Sequence, residues 1–194
     1  MIDFSPFRKG EKTYTDLSEG LTIVDLHRLT DEMVDTVLAL IAYATDADVV
    51  FVPQDPAAYD KYAEQAESVY LAWTLGHVIV HSTASSEEAA ARASQLARGV
   101  PVETRNRYET PWETVTTIDQ VRQRLEESRR MRHAFLGTWP DKPHLDVLYT
   151  PKNPKFPPYN ALGMFISGLS HEDSHLGQIS EILEQAQTAR QVSV

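Results

Sequence analysis

The stretch Ala161-Leu-Gly-Met-Phe-Ile-Ser-Gly-Leu-Ser-His-Glu-Asp-Ser-His-Leu-Gly-Gln-Ile179 opens a segment of helical periodicity that runs to about Arg190, and it decides the fold. Its apolar residues recur at the spacing of a helix, not the alternation of a strand. Gly163, Gly168 and Gly177 each cost it roughly 1 kcal/mol relative to alanine. Tertiary packing, or the close approach of a neighbour, must compensate. His171 and His175 stand four residues apart, which puts both imidazoles on one helical face about one turn from each other.

Three more segments share this periodicity. One runs from about Thr22 to Ala44, with Leu26, Leu29, Met33, Val37, Leu40 and Ala44 at three- and four-residue steps. Thr22 followed by Asp25 reads as its cap. A second runs from about Tyr62 to Arg98 and stops at Gly99, a natural helix terminator. A third runs from about Ile118 to Trp139, with Thr117 and Gln120 as a capping box. In its apolar row Arg132 is the misfit. Four long helices and no convincing sheet predict an all-α helix bundle.

The connections carry their own signals. Val49-Val-Phe-Val-Pro53 reads as a short strand or an extended apolar plug. Residues 99–116 hold Arg105, Arg107, Tyr108 and Trp112, a set that would suit a lid over an anionic substrate or thiol. Pro140, Pro143, Pro151, Pro154, Pro157 and Pro158 forbid helix and predict a strap lying extended over the bundle. The length of the second and third connections predicts at least one crossover.

The chain of 194 residues suffices for one domain, and we expect residues 1–194 to form one. Its apolar runs are short and broken, far below the roughly 18–20 residues of a membrane span. Its first residues carry no basic patch followed by an apolar core, so a cytoplasmic protein is expected. With no cysteine, disulfides, thiolate ligands and a cysteine nucleophile are excluded, and any thiol chemistry needs an external low-molecular-weight thiol. The net charge of −10 repels phosphate backbones, so nucleic acid is not an expected partner.

Seven histidines stand at 27, 77, 81, 133, 144, 171 and 175. His77 and His81 form a second pair at four-residue spacing, on the second helix. Such a pair can direct both imidazoles at one ion, and a ligand from a facing helix would complete a site inside a bundle. His27, His133 and His144 have no partner at ligand spacing and read as surface or packing residues.

The stretch His171-Glu-Asp-Ser-His175-Leu-Gly-Gln-Ile179 resembles the HxxxHxGQI signature of the DinB/YfiT-like family. Trp73-Thr-Leu-Gly-His-Val-Ile-Val-His81 resembles the matching second-helix pattern, and the resemblance extends from about Leu21 to Ala189. It implies a four-helix bundle of up-down-down-up order. It also implies one divalent ion, nickel or zinc, held by His81, His171 and His175. His77 falls where the family tolerates other residues, which makes it a supporting or substrate-facing residue. Members of the family include thiol-dependent transferases and isomerases, and metal-dependent hydrolases. Bundles of this family often pair, so a homodimer is expected. The apolar breadth of the second helix, with Val69, Leu71, Leu75, Val78 and Ile79, supports the same expectation.

Three neutral imidazoles leave a divalent ion with open positions, where a water or an external thiol acquires a lowered pKa. The expected function is thus a metal-dependent enzyme acting on a small molecule. Thiol-dependent S-transfer is the first reading and hydrolysis the alternative. A non-catalytic metal-binding stress-response module would need the same histidines, and a purely structural bundle would need none of them. Gln178, three residues past His175, is expected to support it or face the substrate. Glu172 and Asp173 read as solvent-facing, and Glu87 or Glu88 as the carboxylate behind a metal-bound imidazole.

Overall fold

The computed structural model describes residues 1–59, 69–102 and 107–192. Among them lie seven α-helices: α1 (Ser5–Arg8), α2 (Tyr14–Ser18), α3 (Ile23–Leu40), α4 (Asp46–Val49), α5 (Leu75–Ala97), α6 (Ile118–Leu136) and α7 (Ala161–Val192). The described residues contain no strand; an isolated bridge pairs Tyr149 with Tyr159.

Side-chain caps fix where the helices begin. Thr22 with Asp25 and Thr117 with Gln120 form the reciprocal capping boxes read in the sequence. A third box, Thr45 with Asp48, starts α4. The run from Val49 to Pro53 is therefore the end of a short helix followed by coil, and no strand. The helix expected from Tyr62 is not continuous: α5 starts at Leu75, where the Thr74 hydroxyl accepts a hydrogen bond from the His77 amide and caps it. Residues 69–74 are turn and coil, and the part of that expectation on 60–68 lies outside the described residues. At the other end Gly99 takes a φ of 81°, the left-handed turn that stops α5.

The four long helices contact one another through α5–α7, α5–α6, α3–α6 and α3–α7 faces. Their relative directions follow from cross-helix pairs. His81 meets His171 and Ser86 meets Gly168, so α5 and α7 run antiparallel. Glu87 meets Arg124 and Ser94 meets Thr138, so α5 and α6 run parallel. Across α3 and α6, Asp31 meets His133 and Asp35 meets Arg129.

Two apolar clusters fill the interior. One gathers Leu29, Met33, Leu96, Leu136 and Phe165; the other gathers Val37, Leu75, Ile79, Leu125 and Ile182. Burying each such side chain contributes about 1.5–3 kcal/mol. Leu75, Val78 and Ile79, three of the residues expected to offer a face to a second copy, are wholly buried within this core. Between the clusters lies a buried polar layer that includes Ser86, Ser128, Arg132 and Glu172.

Here α5 and α7 come close. A Cβ on Gly168 would meet the Ala89 Cβ at 2.7 Å and the Ser86 Cα at 2.9 Å. That approach compensates this glycine's helix cost, whereas around Gly177 there is open space. Among the described residues, no helix is long and apolar enough to cross a membrane.

Candidate metal centre

The close approach of α5 and α7 brings two helical faces bearing histidines against each other at the polar layer. His81 from α5 and His171 and His175 from α7 each present one ring nitrogen, and these atoms all lie within 4.8 Å of one another. The Nε2 atoms of His81 and His171 stand 3.0 Å apart. Two nitrogens on one tetrahedral ion at 2.0–2.1 Å stand roughly 3.3 Å apart, so the His81–His171 pair needs little adjustment to share one.

The groups behind the rings set their tautomers. His175 donates its Nδ1–H to Gln178 Oε1 at 2.8 Å, which leaves Nε2 with its lone pair toward the triad. Behind His81 stands Glu109, with Oε1 3.5 Å from Nδ1. Arg107 Nη2 is also 3.2 Å from that nitrogen. Its two hydrogens, however, go to the His81 carbonyl oxygen at 2.7 Å and to Glu109 Oε2 at 2.5 Å. Glu109 Oε1 is thus the acceptor that faces His81 Nδ1, and a proton carried there leaves Nε2 to ligate. Burial alone would raise the Glu109 pKa, but the His81 hydrogen bond and the Arg107 charge hold it below the ordinary value. Burial lowers the His175 pKa, helped by the His81 and Arg107 charges and opposed by the Gln178 hydrogen bond. A donor set of imidazoles, backed by a carboxylate and a carboxamide, fits a divalent transition-metal ion.

Glu109 has no sequence signal beyond its place in the connection that carries Arg107 and Trp112. Neither Glu87 nor Glu88, expected in its role, provides the carboxylate behind His81. Glu87 pairs with Arg124 on α6. Glu172, expected to face solvent, is buried and pairs with the equally buried Arg132 at 2.9 Å, which explains the misfit in the apolar row of α6. Ser86 Oγ lies 2.9 Å from the same Glu172 oxygen. Asp173 pairs with Arg8 at 2.6 Å.

His77 lies one turn below His81, stacked between the indoles of Trp73 at 4.4 Å and Trp112 at 4.9 Å. Trp73 also touches His81, with ring centroids 4.5 Å apart. Tyr108 is exposed, and Arg105 lies outside the described residues. His27 stacks on His133 between α3 and α6, and His133 Nε2 is 2.8 Å from Asp31. His144 packs beneath Gly99.

Beside the triad opens a cleft of about 1120 Å³, lined by His81, His171 and His175, farther along α5 by Arg92 with Tyr149 against it, and by Lys152. Its floor is the α5–α7 contact and its roof the proline-bearing connection before α7.

A helical protein with three convergent imidazoles at the end of a large cleft defines a candidate metalloprotein class. A family profile described as the DinB superfamily matches residues 29–179, which include both histidine-bearing stretches, and the chain belongs to that family. No curated protein and no solved structure matches the chain.

Proposed function

We propose that this chain is a metal-dependent enzyme of the DinB superfamily that acts on a small molecule, with thiol-dependent S-transfer as the first reading. The observation that carries it is the His81–His171–His175 triad opening onto the cleft. Three protein ligands leave room on an ion, which is the arrangement of catalytic sites; structural sites are closed by four. An ion bound there supplies Lewis acidity that brings the pKa of a water or a thiol toward neutrality. The chain's own residues do the rest. Gln178 and Glu109 hold two imidazoles in the ligating tautomer. The stacked Trp73, His77 and Trp112 wall off one side, and the cleft admits the reactant from the other.

Hydrolysis at the same site is the alternative, because nothing in the triad selects thiol over water. The size of the cleft favours either enzyme over a non-catalytic metal-binding module. In this reading the four long helices form an up-down-down-up bundle with a crossover between α5 and α6, which the antiparallel α5–α7 and parallel α5–α6 pairs support. A homodimer would have to form through faces other than the buried Leu75–Ile79 stretch.

The test is metal content by mass spectrometry on protein purified without a histidine tag. One nickel or zinc per chain is expected, lost in His171→Ala and His175→Ala and retained in His77→Ala. Retention in His171→Ala, or loss in His77→Ala with retention in His81→Ala, would refute the ligand set. A thiol titration of the loaded protein then separates S-transfer from hydrolysis.

A further inference from the structure

Arg107, Arg124, Arg129 and Arg132, whose side chains are largely buried, each hold a carboxylate: Glu109, Glu87, Asp31 and Glu172. Arg92 does not. Among the described residues it makes no ion pair or hydrogen bond, and its Nε is buried with no partner. In a chain carrying a net charge of −10, where acids are in excess, a half-buried arginine that holds none of them stands out from its neighbours. Its guanidinium carbon lies over the Tyr149 ring, 4.4 Å from the centroid, a contact that restricts where the side chain can go.

Arg92 lines the same cleft as the histidine triad. His81, Ser85, Glu88 and Arg92 follow one another at three- and four-residue steps along one face of α5. The eleven residues from His81 to Arg92 give an axial separation of about 16 Å. Glu88, the one acidic residue among the described lining, lies one turn nearer the metal end and makes no ion pair with Arg92. Lys152 adds a second positive charge to the lining of the cleft. Tyr159 packs against Tyr149, ring centroids 5.6 Å apart, with a pKa pushed up to about 12, first by burial and then by the neighbouring tyrosines, so its hydroxyl stays protonated.

We infer that the end of the cleft remote from the histidine triad is an anion-binding subsite centred on Arg92, which takes the terminal carboxylate of an elongated substrate or cosubstrate whose other end reaches the triad. The subsite itself stands on Arg92 and its surroundings; the span rests on the metal-site reading above. The length and charge requirement together select extended molecules of peptide-like dimensions with one anionic end, and exclude small neutral ones.

The probes are mercaptoacetyl-oligoglycines with one to five glycines, each made with a free C-terminal carboxylate and with a carboxamide. An extended chain gains about 3.3–3.6 Å per residue, so the mercaptoacetyl unit with three or four glycines spans the distance. On nickel-loaded protein, calorimetry is expected to give an affinity maximum at that length, with the carboxylate about tenfold tighter than the carboxamide. Arg92→Gln should bring the two level, and Arg92→Lys should restore only part of the preference, because it keeps the charge and loses the fork. A nickel–thiolate absorption band reports the other end separately. If no probe gives that band, the thiol reading of the metal site fails, and the subsite is read on metal-free protein instead. There the Arg92 Nε–H resonance should shift with tetraglycine carboxylate and stay still with tetraglycine amide. Equal affinity of carboxylate and carboxamide in the wild type, a preference that survives Arg92→Gln, or an unmoved Arg92 resonance would each overturn the inference. The resonance is read on the wild-type chain, so the test does not depend on the variants folding.

Discussion

Replacing Glu172 by alanine leaves the Arg132 guanidinium charged in the middle of the protein. Both side chains are 1% exposed and their charged atoms are 2.9 Å apart. Arg132 Nη2 and Glu172 Oε1 have no partner even in the intact protein, so the pair is only partly satisfied. Breaking a buried pair by removing one member costs about 3–5 kcal/mol, because the remaining charge is stranded. For a chain of this size that corresponds to a fall in Tm of about 6–20 °C. Replacing both members, Arg132→Met with Glu172→Leu, strands nothing. Ser86 Oγ keeps the Gly168 carbonyl oxygen at 3.0 Å as an acceptor. The double variant should therefore lie within about 1 kcal/mol of the wild type, with a large favourable coupling in the cycle. Urea unfolding of the metal-free proteins, followed by circular dichroism, measures all four corners. A Glu172→Ala protein within 1 kcal/mol of wild type, or a double variant as unstable as the single ones, would refute the picture of a dry charge pair.

Glu109→Gln keeps the shape behind His81 and removes the charge; nickel or zinc affinity, measured by competition with a chelator, should fall about 10–100-fold with one ion per chain still bound at saturation, and an unchanged affinity would detach Glu109 from the site. Metal-free protein should lose stability on acidification: burial depresses the pKa of both His175 and His27 in the fold, so their contribution is fully present above the unfolded value of about 6.5 and is lost as pH falls through the lowered folded values. Urea midpoints that stay constant from pH 7.5 to 5.5 would contradict this. Gly177→Ala, in open space on α7, should stabilise by about 1 kcal/mol, while Gly168→Ala, whose Cβ would meet Ala89 at 2.7 Å, should destabilise; thermal melts that gave both the same sign would refute the distinction.

What was legible in the sequence was local. The boxes at Thr22 and Thr117 are short-range geometry, and two histidine pairs at four-residue spacing declare a shared face before any tertiary contact is known. The start of α5 was not legible, because apolar spacing continues upstream of Thr74 and a periodic pattern does not record where a hydroxyl intercepts the first amide. Glu109 was invisible for a different reason: it comes from a connection, where no period relates its position to His81. Arg132 lay between these cases. A charge in an apolar row announces a buried partner, and Glu172, four positions before Leu176 on a helix that is otherwise core, was the acid to match it. Read separately, the one looked like an error of phase and the other like surface.

The parallel run of α5 and α6 means that no tight hairpin can join them; the chain must travel the length of a helix before it can start the next. On that return journey it lays Arg107, Glu109 and Trp112 along the outer side of His77 and His81. The helices that supply the imidazoles and the connection that surrounds them are thus under different constraints. The helices are locked by the core, and the connection is free to change in length and composition so long as it returns to Thr117. Chemistry at such a centre can be retuned by rewriting a stretch of chain that topology already demanded, with no helix disturbed.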